Sequence, residues 1–190
     1  SGSASRTSES FRYGSTAINL PTVGTLAKTG YSFSGWSTSG ESPAISGTYT
    51  PSASVTLKAV WSANTYTVSF NSSGGGSAPS SQSYTTGNTG LTLPTVGSMV
   101  KTGYNFGGWA TSASGSAISG TYTTTADITL YALWTIKNIT VTYAKGTIGG
   151  SEPTLTSFPS NTSGNYATTV TLSSTVDTQA NSGNYKFAGW

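Results

Sequence analysis

The chain repeats itself with a fixed period. LPTVG at Leu20–Gly24 returns at Leu93–Gly97, 73 residues later. KTGYSFSGW at Lys28–Trp36 returns as KTGYNFGGW at Lys101–Trp109, and AISGTY at Ala44–Tyr49 returns at Ala117–Tyr122. VTLKAVW at Val55–Trp61 returns as ITLYALW at Ile128–Trp134, again without a gap. YTVSF at Tyr66–Phe70 is followed at the same distance by ITVTY at Ile139–Tyr143. Such a period makes each copy one supersecondary unit whose contacts are with its immediate neighbours. The predicted division is a linker or remnant at 1–10, a first repeat at 11–62 without its opening strand, and a complete second repeat at 65–135. A diverged third repeat at 138–190 lacks its closing strand. Its YKFAGW, Tyr185–Trp190, comes about eight residues later than the period requires.

Within a copy most elements read as strands. Tyr66-Thr67-Val68-Ser69-Phe70 alternates large residues with hydroxyls, the pattern of a half-buried strand. Ile128, Leu130, Ala132 and Trp134 fall on one face of the next such segment, and Val55, Leu57, Ala59 and Trp61 are their first-copy equivalents. Turn chemistry separates the strands at Asn71–Gly76, Thr86-Gly87-Asn88 and Ser112–Ser116. No segment keeps a 3.6-residue apolar period over three turns; Val23–Ala27 and Val96–Val100 have room for one helical turn. In GYxFxGW, Tyr104, Phe106 and Gly108 alternate with Asn105, Gly107 and Trp109. Trp109 is expected to pack on the neighbouring strand, the one bearing Trp134, with Gly108 allowing a close approach.

The recurring aromatics are read first as the repeat core: Tyr31, Phe33, Trp36 and Trp61; Tyr104, Phe106, Trp109 and Trp134; and Tyr185, Phe187 and Trp190. The competing reading is an exposed platform for stacking glycans. Only 7% of the residues are charged, and the net charge of +3 comes from scattered single cations. That distribution argues against nucleic acid and against insertion into a membrane, and no run approaches a membrane span.

The sequence also withholds the usual chemistry. With no His and no Cys, it can form neither a histidine-based triad nor an imidazole or thiolate zinc site. Its acids are Glu9, Glu41, Asp127, Glu152 and Asp177, so the complete copy has Asp127 alone and no carboxylate pair. Asp127 stands where the first copy has Ser54 and reads as a turn residue before a strand. Gly74–Gly76 lacks the Lys-Ser/Thr and the helix of a phosphate loop. LPTVG is read as a Pro-bounded turn. No catalytic residue, metal site or cofactor is expected, and the chain reads as a non-enzyme.

The order of a YTVSF-like strand, a glycine-rich turn, a Pro-bounded loop, GYxFxGW and ITLYALW resembles the Listeria–Bacteroides repeat, also called the internalin B-type repeat. The family's acidic DxNGG turn appears here as Asn71-Ser72-Ser73-Gly74-Gly75, without its acid. The resemblance implies a mainly β fold, α+β at most, of tandem β-grasp-like units. It implies an extracellular place on a bacterial cell surface or wall. The function expected from it is a stalk or spacer of a surface adhesin. Two alternatives stand beside it: a module binding glycan or a host surface protein, and a self-assembling filament or sheath subunit. In the last, incomplete end repeats expose strand edges to other copies of the chain. The partners expected first are the neighbouring repeats themselves.

Overall fold

Aromatic and aliphatic side chains alternating with Ser and Thr give each half-buried strand one greasy face and one hydroxyl face. The computed structural model describes residues 17–144 and 159–172, with Ser8, Ser10 and Arg12. Its strands in chain order are β1 (Ile18–Asn19), β2 (Tyr31–Ser37), β3 (Thr48–Tyr49), β4 (Lys58–Ala63) and β5 (Thr65–Asn71). They continue with β6 (Gln82–Thr85), β7 (Tyr104–Ala110), β8 (Ile128–Ile136), β9 (Asn138–Val141) and β10 (Thr162–Asn165). No helix occurs among the described residues, so the architecture is mainly β, in tandem units.

The second unit holds a four-stranded mixed sheet in the order β6-β5-β8-β7. Its outer pairs are antiparallel and its central pair, β5 with β8, is parallel. To pass from β6 at one edge to β7 at the other, the chain must cross a face of the sheet. Residues 86–103 make that crossing and lay Leu91, Leu93, Val96 and Met99 on Val68, Phe70, Trp109, Leu130 and Ala132. This strap supplies the second layer that a half-apolar sheet needs. Val68 and Leu130 are wholly buried, each contributing about 1.5–3 kcal/mol of burial. The described residues of the second unit are thus a mixed sheet crossed by a strap that holds no helix. The strap's possible helical turn is a single reverse turn: Met99 N–H donates to Val96 O at 3.0 Å, and Leu26 N–H to Val23 O at 3.0 Å.

Two expectations are corrected. Simple alternation put Phe106 and Trp109 on opposite faces, but Phe106 lies opposite Trp134 and the next pair is Gly108 with Leu133. Gly107 is therefore the extra residue of a β-bulge, and the inserted residue turns Trp109 onto the face of Phe106. The same bulge recurs in β2, where Phe33 pairs with Trp61 and Gly35 with Val60. β7 does lie beside β8, the strand of Trp134, but Trp109 stands opposite Ala132 there.

The second correction concerns the first-copy face of Val55, Leu57, Ala59 and Trp61. Val55 is 42% exposed, and β4 begins only at Lys58. In the second unit the equivalent residues, Ile128–Tyr131, pair with β5. Among the described residues, no strand pairs with Val55–Leu57. The third unit is described only as the antiparallel pair β9–β10.

Candidate inter-repeat joint

β4 and β5 are separated by one residue, Asn64. The registers Tyr31↔Ala63 and Thr65↔Thr85 place Gly30 and Thr86 both opposite it. Asn64 N–H donates to Gly30 O at 2.9 Å, and Thr86 N–H donates to Asn64 O at 3.0 Å. A single extended strand thus serves two units, with β2 and β6 meeting end to end along one of its edges. The Asn64 side chain reaches both ways: its Oδ1 accepts from Ser32 Oγ at 2.7 Å, and its Nδ2 donates to Tyr66 OH at 3.3 Å.

Gly30 is required at this place. Its φ is +79°, which suits glycine, and a Cβ on it would lie 2.6 Å from both Cγ2 and Oγ1 of Thr86. The same joint is built again one unit later with other side chains. Lys137 N–H donates to Gly103 O at 2.8 Å, and Tyr166 N–H donates to Lys137 O at 2.8 Å. Gly103 has φ +80°, and the Tyr166 ring occupies the space a Cβ would need. Each incoming hairpin ends in the same reverse turn, with Asn88 N–H donating to Thr85 O and Thr168 N–H to Asn165 O, both at 3.1 Å. The turn's third residue is Gly87 at φ +89° and Ala167 at φ +61°.

The aromatics proposed as the repeat core flank these joints. Phe33 contacts Trp36 and Trp61 edge-on at 5.4 and 5.7 Å, and Phe106 contacts Trp109 and Trp134 at 5.5 and 5.6 Å. Trp36 and Trp109 are buried, whereas Phe33, Trp61, Phe106 and Trp134 are half-buried. The indole N–H of Trp36 donates to Pro21 O at 2.8 Å and that of Trp109 to Pro94 O at 2.7 Å. The recurring LPTVG is therefore the acceptor for the recurring Trp. Tyr31 and Tyr104 are half-buried and carry Lys28 and Lys101 over their rings. Tyr185, Phe187 and Trp190 lie outside the described residues.

An open cleft of about 430 Å³ lies beside Lys28, Tyr31, Phe33 and Trp61. In the second unit the glycine-rich turn occupies the equivalent place. Trp134 Nε1–H donates to Ser72 O at 2.8 Å, Lys101 Nζ to Ser73 O at 3.1 Å, and Val100 N–H to Gly75 O at 2.9 Å. Gly75 lies so close under Trp134 that a Cβ there would collide with the ring. Asp127 does more than the turn expected of it. Its Oδ1 accepts from Thr67 N–H at 2.7 Å, across to β5. Among the described residues, no three His, Cys, Asp or Glu side chains gather closely enough to hold a metal ion.

The sequence marks Thr86 only as part of a turn, and it does not mark Gly30, Asn64 or the second-joint residues Gly103, Lys137 and Tyr166 as a joint. The one available signal was the recurring Thr-Gly-Tyr at 29–31 and 102–104. Comparison with known proteins adds a relative in Evansella cellulosilytica, provisionally named a Gly-rich membrane protein. It is 33% identical over an alignment of 150 positions, which covers 71% of this chain but 16% of that protein. No solved structure matches the chain. The sequence profile of the Listeria-Bacteroides repeat domain matches residues 1–60 and 66–133, bracketing the first joint, and the chain belongs to that family.

Proposed function

We propose that this chain is a non-catalytic, extracellular spacer segment of a longer bacterial cell-envelope protein, holding an adhesive part away from the surface. The observation that carries this reading is the joint made twice, at Asn64 and at Lys137, with the same backbone hydrogen bonds and different side chains. A joint written in backbone bonds and a glycine propagates along an array whatever the exposed residues are. Units that touch only their neighbours add stability and length one at a time. The membrane-protein name of the Evansella relative supports the envelope placement. The family membership supports a repeat role without chemistry of its own.

Small-angle scattering tests the reading on the full chain and on arrays carrying additional copies of residues 65–137. The maximum dimension should grow by a constant increment per added unit. A dimension that rises only as the cube root of mass, as for units collapsed into a globule, refutes it.

A further inference from the structure

Along the chain, the second unit is entered at Thr65, the start of β5, and left at Ile136, the end of β8. These two strands are adjacent and parallel, with Val68, Ser69, Phe70 and Asn71 opposite Ile128, Thr129, Leu130 and Tyr131. Tension along the chain draws β5 back toward its N-terminal end and β8 forward toward its C-terminal end. The strands must then slide past one another, and all the rungs between them carry the load together. A hairpin pulled open from its free end breaks its rungs one after another.

We propose that the complete unit is a tension-bearing element, in which the parallel β5–β8 pair acts as a shear clamp between the chain's entry and exit. Three observations lead to this. The side chains over the clamp, Val68 and Leu130, are the largest fully buried ones among the described residues, so water has poor access to the rungs. Asp127, next in register beyond Ile128, adds a bond to Thr67 N–H at 2.7 Å and extends the ladder by one position. Tension reaches β5 in line, because β4, Asn64 and β5 run as one strand. The inference rests on the spacer reading only for the direction of pull.

Single-molecule pulling on the full chain tests it. The chain has no cysteine, so handles can be placed at will. Attachment through Ala63→Cys and Lys137→Cys loads the clamp in shear. Attachment through Thr102→Cys and Lys137→Cys shares one handle but peels β7 from β8, starting at Tyr104 and Ile136. The shear geometry should yield at a force on the order of fourfold above the peel geometry, as expected if the four residue pairs in register load together rather than one at a time. Asp127→Ser, which installs the residue of the first copy, should lower the shear force and leave the peel force unchanged. Equal forces in the two geometries overturn the proposal, as does an Asp127→Ser effect equal in both. Equal forces with a linearly growing array would remove the clamp and keep the spacer. A collapsed array with a high shear force would do the reverse.

Discussion

Replacing Gly30 by Ala isolates what the joint contributes, because the fold supplies its own control. Gly30 and Gly47 have the same φ, +79°, so an alanine at either meets the same backbone penalty. That penalty is about 1–2 kcal/mol for a left-handed L-residue. The loss of unfolded-chain freedom on going from Gly to Ala is also shared and cancels in the comparison. The surroundings differ: nothing lies within 4 Å of a Cβ at Gly47, whereas at Gly30 two Thr86 atoms would lie at 2.6 Å. Pushing Thr86 aside costs about 1–3 kcal/mol, the usual range for overpacking. Gly30→Ala should therefore destabilise by about 2–5 kcal/mol and Gly47→Ala by about 1–2. Urea unfolding followed by tryptophan fluorescence reads the difference as a midpoint shift at constant slope. Adding Thr86→Ala to Gly30→Ala should recover most of the excess, a non-additivity expected only of residues in contact. Equal midpoints for the two alanine variants, or strict additivity with Thr86→Ala, would refute the joint as described.

Thr86 Oγ1 is buried and has no hydrogen-bond partner. Thr86→Val keeps the shape and should stabilise the chain by about 1 kcal/mol, seen as a higher urea midpoint. Ala167 holds φ +61° where the first joint has Gly87, so Ala167→Gly should raise the thermal midpoint, with a gain of about 1 kcal/mol. Leu130→Ala opens a cavity beneath the central pair and should cost about 2–5 kcal/mol. Val55→Ala, at a 42% exposed position, should change stability by less than about 0.5 kcal/mol. Comparable losses for Leu130→Ala and Val55→Ala in calorimetry would mean the first copy is as fully closed as the second.

The period and the strands were legible because both are written in single residues. Alternating hydroxyls and large side chains mark β5 and β8, and repeated pentapeptides mark the offset. The bulge was half-legible. Glycine inside a strand pattern signals either a close approach or an extra residue, and Gly107-Gly108 does both. Gly108 has φ +112° with the Ala117 side chain 3.3 Å from its Cβ position, while Gly107 goes unpaired and brings Phe106 and Trp109 together. The joint was hidden for a different reason. Its bonds are made by the backbone of Asn64 and Lys137, so the side chains there are free to differ and leave no repeated letter. The parallel β5–β8 pairing was hidden too, since its partners are 60 residues apart and no local pattern fixes which strand lies beside which.

The central claim is that one strand is shared between successive units, and native-state hydrogen exchange at two amides tests it most directly. The N–H groups of Asn64 and Lys137 lie between strands, where a flexible linker would leave them to solvent. The shared strand predicts that both are protected to a degree comparable with the amides of β5 and β8, and that Gly30→Ala strips protection from Asn64 while sparing Lys137. Exchange of both amides at the rate of an unstructured peptide, in a chain whose sheet amides remain protected, would contradict it.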